Sequence, residues 1–159
     1  MKYNPKIHHR RSIRLKGYDY SQPGAYFVTT CLDGYDPYFE IQEIRGIMED
    51  SWKSLPERFP TISLDEFVIM PDHIHFIVWL SPTKNDRPPL DRIVGAYKSL
   101  TARAALKHLR QSGIPCGKVF WQRDYYEHVV RNEAELREIR TYILNNPIKA
   151  ELIRTYYQE

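Results

Sequence analysis

Ile69-Met70-Pro71-Asp72-His73-Ile74-His75-Phe76-Ile77-Val78 reads as a tight turn at Pro71-Asp72 opening into a buried β-strand that carries two histidines. The residues between and after the histidines (Ile74, Phe76, Ile77, Val78, Trp79, Leu80) are apolar and largely β-branched or aromatic, which suits a central strand. Side chains alternate along a strand, so His73 and His75 point to one face with their rings adjacent. Two neighbouring imidazoles on a rigid strand make half of a metal site. Two core or rim histidines without any ligand are an equally good reading of this spacing, and the rest of the chain has to decide.

Working outward, Ile62 to Met70 forms the other arm of a hairpin with His73 to Leu80. Ala25 to Leu32 is dense in β-formers and reads as a first strand, preceded by turn-rich Gly17 to Gly24. Apolar residues at Ile41, Ile44, Ile47, Met48 and Leu55 have helical spacing, and Pro56 and Pro60 should end that helix. Beyond a polar, proline-rich loop at 81–89, Leu90 to Leu109 reads as a long amphipathic helix. Its apolar side is Ile93, Tyr97, Leu100, Ala104 and Leu106 or Leu109, with a basic outer surface. Lys118 to Val130 reads as a fourth strand. Asn132 with Glu135 resembles a capping box opening a last helix at about residue 133, with Leu136, Ile139 and Ile143 as its stripe. Pro147 should stop that helix at Asn146.

The order strand, helix, strand, strand, helix, strand, helix is that of a ferredoxin-like unit. The expected class is α+β, an antiparallel sheet with helices packed on one face plus a C-terminal helix. The first and third strands are central in that topology, so the histidine pair should lie mid-sheet.

Composition sets the limits. A chain of 159 residues with 42% hydrophobic and 27% charged side chains suits one soluble domain. No apolar run approaches the roughly 18 residues of a membrane span, and no signal peptide precedes the first charges. Cys31 and Cys116 stand alone, so neither a zinc knuckle nor a disulfide framework is expected, and the setting is a reducing cytoplasm. Net charge is +3, but residues 1–16 hold six basic side chains and no acidic one, leaving 17 basic against 20 acidic in the rest. Residues 1–20 therefore read as a basic arm on a single domain at 21–159. Arg10, Arg11, Arg14 and Lys16 are its candidate phosphate contacts, against the rival reading of a merely solvated terminus.

The last helix supplies a second chemical element. Tyr142 and Asn146 are four apart and project from one helix face. A tyrosine and an amide oxygen presented together could add a nucleophile and a third ligand to two histidines. A phenol is a poor nucleophile near pH 7, because its pKa is about 10. A divalent ion that polarises a phosphodiester lowers that demand, and nitrogen plus oxygen ligands with open positions suit Mg²⁺ or Mn²⁺.

Met70-Pro-Asp-His73-Ile-His75 resembles the His-hydrophobe-His motif of the HUH single-tyrosine transposases, specifically the REP-associated type. Trp121-Gln-Arg-Asp-Tyr-Tyr-Glu-His128-Val-Val-Arg131-Asn resembles that group's second block, and Tyr142-Ile-Leu-Asn-Asn146-Pro147 its third. Arg14 to Thr29 is similar to the family's usual start, so the match covers almost the whole chain in order. His-x-His alone is weak; three blocks in order are strong. The resemblance implies that Tyr142 attacks single-stranded or hairpin DNA, that His73, His75 and Asn146 hold the metal, and that the host is bacterial. It allows either a homodimer that exchanges tyrosines or attack within one subunit. As a small departure from the pattern, the sequence stops about a dozen residues after Pro147, so any C-terminal tail that some relatives use over the site is expected to be short or missing. His128 and Asp72 would support the metal ligands from behind.

Each residue has a plainer rival. Tyr142 is one of 12 tyrosines, and a helical Tyr beside a core stripe is usually structural; only its block reverses that. Tyr125 and Tyr126 are competing nucleophiles or stacking groups, Asn146 could be a helix cap, and His128 a satisfied structural histidine. Lys98, Arg103 and Lys107, with Trp121 and Arg123, are candidate DNA contacts, although a charged helix face is more often only solvated. Two other functions compete: a non-catalytic single-stranded nucleic-acid-binding module, and a metal-dependent hydrolase using water. The first lacks the aromatic signatures of ferredoxin-like RNA platforms. The second lacks a carboxylate cluster.

Overall fold

A computed structural model of the chain describes residues 15–82 and 87–156. The arm residues Arg10, Arg11 and Arg14, with His8 and His9, lie outside the described residues. The elements are β1 (Gly24–Cys31), a short 3₁₀ turn at Tyr38–Glu40, α1 (Gln42–Arg58), β2 (Ile62–Ile69), β3 (His73–Leu80), α2 (Leu90–Gln111), β4 (Tyr126–Val129) and α3 (Glu133–Tyr156). The four strands form one sheet in the order β2-β3-β1-β4, antiparallel at every junction. β1 and β3 are central, in keeping with strands that are apolar over most of their length and buried on both faces.

Alternation along β1 and β3 divides the core in two. Tyr26, Val28, Ile74, Phe76, Val78 and Leu80 face α1 and α2, joined by Ile44, Met48, Trp52, Ile93 and Tyr97 in the main core. Ala25, Phe27 and Ile77 face the other way and are covered by Leu136 and Ile143 of α3. Two helices thus lie on one face and the C-terminal helix on the other. His73 and His75 alternate with Ile74 and Phe76, so they stand on the α3 face.

Several boundaries depart from the sequence expectation. α1 continues through Pro56 to Arg58, with the Phe59 amide still donating to the Leu55 carbonyl at 2.8 Å. Pro56 lies in the last turn, where it removes one backbone bond, and the burial of Trp52, Leu55 and Phe59 outweighs that loss. On α2 the expected Ile93, Tyr97, Leu106 and Leu109 are buried, but between them the core takes Thr101 and Ala105 rather than Leu100 and Ala104. That helix closes with Gly113 at φ 69° and the Ile114 amide donating back to the Leu109 carbonyl, a glycine-dependent C-terminal cap.

The fourth strand is only Tyr126–Val129, not Lys118 to Val130. Phe120 and Trp121 turn into the main core, and only an isolated bridge joins Trp121 to Leu32. Their β-forming character reflects burial, not a ladder. α3 does not stop before Pro147 but runs to Tyr156. The restriction on a residue preceding proline is a bias, not a prohibition, and here the helix continues through it. Asn146 is therefore inside the helix. Tyr18 and Tyr20 pack against the main core, so residues 15–20 belong structurally with the body.

Candidate active site

The two imidazoles stand at the start of β3, directly after the Pro71-Asp72 turn, where the Met70 amide donates to the His73 carbonyl at 2.8 Å. Across the ladder His73 pairs with Cys31 and His75 with Thr29. The rings are 4.5 Å apart and nearly perpendicular, at 78°, and their Nε2 atoms face each other at 3.0 Å. Each ring is held from behind at Nδ1. Asp72 Oδ1 lies 2.6 Å from His73 Nδ1, and Thr29 Oγ1 lies 2.7 Å from His75 Nδ1.

An ionised carboxylate only accepts, so His73 donates its Nδ1–H to Asp72 and turns its Nε2 toward His75. The bond from His73, ahead of the opposing effect of burial, holds the Asp72 carboxyl below its ordinary range. Burial, and then the neighbouring His73, push the His75 pKa down to about 3, so His75 is a neutral imidazole. The Thr29 hydroxyl and His75 Nδ1 share a hydrogen bond in which either can donate, so His75 Nε2 either carries a proton toward His73 Nε2 or presents a lone pair to it. The 3.0 Å separation is that of an N–H···N hydrogen bond, whose proton a cation held by both nitrogens would replace. Two nitrogens bound to one ion at about 2.1 Å each span at most about 4.2 Å, so this separation is within reach of a common metal.

Tyr142 crosses above this pair from α3. Its ring centroid lies 5.5 Å from His75 and 6.3 Å from Phe27, edge-on to both. Phe27 in turn stacks on His75 at 5.4 Å. The phenol remains 48% exposed, which leaves it open to a large substrate. One turn further, the Asn146 Nδ2 atom is buried and without a hydrogen-bond partner among the described residues. Turning that amide over places its oxygen there instead, a donor a cation would satisfy. The residues present, two imidazoles and one amide oxygen, fit a divalent ion. Among the described residues no group of three His, Cys, Asp or Glu is arranged to hold one, so most of its coordination would stay open.

α3 reaches this position through its N-terminal cap and its flanks. Asn132 Oδ1 accepts from the Glu135 amide at 2.8 Å, and Glu135 Oε2 accepts from the Arg131 amide at 2.6 Å. The expected capping pair is therefore present, with its return bond made one residue earlier. The other Glu135 oxygen accepts from His128 Nε2 on β4. On the opposite flank Arg140 forks onto Asp65 of β2.

The remaining candidates are scattered. His128 stands on the α3 face but opposite Phe27, and it engages Glu135 rather than the histidine pair. Trp121 is buried in the main core with its indole N–H on Thr101 Oγ1 at 2.9 Å, so it offers no ring face to a base. The Lys98 ammonium donates to the Gln122 and Arg123 carbonyls at 2.6 and 3.0 Å and pins the segment before β4, which is a structural role. Arg103 and Lys107 are exposed on α2, on the far side of the sheet; Lys16 and Arg123 are exposed without joining the site. Tyr125 packs with the main core beneath Lys98, whereas Tyr126 faces the site edge-on to Phe27 at 6.2 Å. Thr29 and Phe27 were not expected. A polar Thr29-Thr30 pair ending an apolar strand was the available signal, but its register against His75 is a tertiary fact.

No described helix is long and apolar enough to cross a membrane. Residues 42–146 match the model of the family described as IS200-like transposase. An uncharacterised protein of Haemophilus influenzae is 33% identical over 98% of this chain and 97% of its own length. A second protein of that organism, described as a REP-associated tyrosine transposase, is 30% identical over 82% of this chain and 74% of its own. Among solved structures, a REP-associated tyrosine transposase bound to a REP hairpin matches with TM-score 0.64 at 20% identity, covering 88% of this chain and 74% of that one. A protein from Deinococcus radiodurans described as a transposase matches with TM-score 0.53 at 21% identity, covering 83% and 95%.

Proposed function

This chain belongs to the IS200-like transposase family, and from that premise we propose that it cuts and rejoins single-stranded DNA through a covalent 5′-phosphotyrosine on Tyr142. Its role is related to transposition and its chemistry is DNA processing. The observation that carries the finer reading is the half-exposed Tyr142 ring lying 5.5 Å from His75, above a histidine pair whose Nε2 atoms converge.

In the proposed reaction the Tyr142 oxygen attacks a phosphodiester phosphorus. A bond forms from phenol oxygen to phosphorus as the bond to the 3′-oxygen breaks; the phenol gives up a proton and the departing 3′-oxygen gains one. The 5′-phosphate stays on the enzyme, so the bond energy is conserved for joining when another 3′-hydroxyl attacks in reverse. His73, His75 and Asn146 would hold Mg²⁺ or Mn²⁺, which when bound polarises the phosphate and neutralises developing charge. Asp72 and Thr29 orient the two imidazoles and keep their Nε2 atoms turned inward. Phe27 backs both His75 and Tyr142 and restricts where the phenol can swing. Hairpin DNA is the substrate class suggested by the structural relative that holds a REP hairpin.

The rival binding module needs an open sheet face on which bases can stack. Here one face carries α1 and α2, and α3 covers much of the other. The test is a covalent-adduct assay on denaturing gels with single-stranded hairpin oligonucleotides and Mn²⁺ or Mg²⁺. A protein–DNA band that Tyr142→Phe, His73→Ala and EDTA each remove is the expected result. Tight DNA binding with no adduct on any strand would overturn it in favour of the binding module.

A further inference from the structure

α3 rests on the sheet through an apolar stripe, Leu136, Ile139 and Ile143, and such a contact leaves the helix free to roll. At about 100° per residue, Arg140 lies about 70° to one side of that stripe, while Glu135 lies about 70° and Tyr142 about 90° to the other. The two flanks are tied to opposite edges of the sheet. On the β2 edge, Arg140 Nε and Nη2 reach Asp65 Oδ1 and Oδ2 at 2.9 and 2.5 Å, a bidentate fork. On the β4 edge, Glu135 holds His128.

Asp65 is built to hold this position. It lies where the β2–β3 register slips between Leu64 and Phe67, a bulge that re-aims side chains. Its carboxylate is also bound by the Trp79 indole N–H at 2.7 Å and the Glu66 amide at 2.9 Å, and its side chain is 10% exposed. Trp79 lies on the same strand and face as the histidines, so the fork is referenced to the strand that carries them.

We propose that Asp65–Arg140, with Trp79 behind it, and His128–Glu135 are two tethers that set the roll of α3 and thereby aim Tyr142 at the histidine pair. They are positioning residues, acting through Tyr142. With side-chain tips about 5–6 Å from the helix axis, a roll of about 20° displaces them by about 2 Å. Misplacement of reacting groups by about 1 Å can cost about a hundredfold in rate. This inference rests on Tyr142 being the nucleophile, so its test has one arm that does not need the reaction.

The first arm measures adduct formation at saturating hairpin DNA below the melting temperature, with the dissociation constant measured separately. Arg140→Met is expected to slow the step about 10- to 100-fold with affinity within about threefold. Arg140→Lys, which keeps the charge but not the fork, should recover only part of the rate, and His128→Gln should slow the step on its own. A contact that only stabilises the fold would lower the melting temperature and leave the saturated rate unchanged; that result, or full recovery by Arg140→Lys, overturns the proposal. The second arm follows the His75 ring-proton resonances by NMR in protein alone, where the Tyr142 ring lies 5.5 Å away. Arg140→Met should move them as far as Tyr142→Ala does, and unmoved resonances would refute the tethers. Absence of an adduct in the wild type condemns the nucleophile assignment instead, leaving the NMR arm to decide the tethers.

Discussion

Thr29 and Asp72 show how much of the site depends on atoms behind the histidines. Each fixes one Nδ1, and only together do they turn both Nε2 atoms to a common point. Removing the hydroxyl by Thr29→Val should weaken Mn²⁺ binding, followed by titration calorimetry, about 10- to 100-fold, the range seen for such outer ligand partners. Unchanged affinity would mean that packing alone orients His75. His75 also makes stability depend on pH. In the fold it stays neutral down to about pH 3, while in the unfolded chain it takes a proton near 6.5. Between those values the unfolded state binds the extra proton, so stability falls as pH falls through that window and is untouched above it. Urea melts of metal-free protein should lose up to about 1.4 kcal/mol per pH unit from this source, and His75→Gln should flatten the curve by that amount.

At the scale of elements, α3 carries Tyr142 on a helix that runs through Pro147, whose missing amide leaves the Ile143 carbonyl without its helical donor. Proline in a helix interior is about 3 kcal/mol less favourable than alanine. Pro147→Ala should therefore stabilise the protein by about 1–3 kcal/mol in urea unfolding; destabilisation would mean that the proline serves a bend the helix needs. Ile143→Ala, by contrast, should cost about 2–5 kcal/mol, because Ile143 is buried against Phe27 and Ile77. These elements also mark the limits of reading from sequence. β3 was legible residue for residue, because its apolar run has a single period and a Pro-Asp turn to open it. The start of α3 was legible from Asn132 and Glu135, a local hydrogen-bond pattern. The ends at Pro56 and Pro147 were misread: at Pro56 the local cost of proline was set against burial that no local pattern reveals, and at Pro147 a bias is not a stop. Residues 118–125 failed for a related cause: Phe120 and Trp121 are aromatic for the core, and Lys98 holds the backbone away from a ladder.

For the molecule as a whole, the order of elements sufficed to place β1 and β3 at the centre and the histidines mid-sheet, but not to show which face they share with Tyr142. That depends on alternation carried across the ladder: His75 pairs with Thr29, Thr29 shares a face with Phe27, and Phe27 meets α3. The consequence is a choice between two ways of using the tyrosine. α3 packs on the sheet of its own chain, with Tyr142 against its own His75, so the proposed nucleophile and the histidine pair lie together in one subunit. Mixing Tyr142→Phe with His73→Ala tests this directly. If subunits exchanged helices, the mixture would contain sites with an intact pair and an intact tyrosine, and adduct would return to about a quarter to a half of the wild-type level. With the arrangement seen here, every site lacks one component however the chains associate. The expected outcome is no adduct in the mixture on gels that resolve the wild-type band, and recovery would show that α3 leaves its own sheet before it cuts.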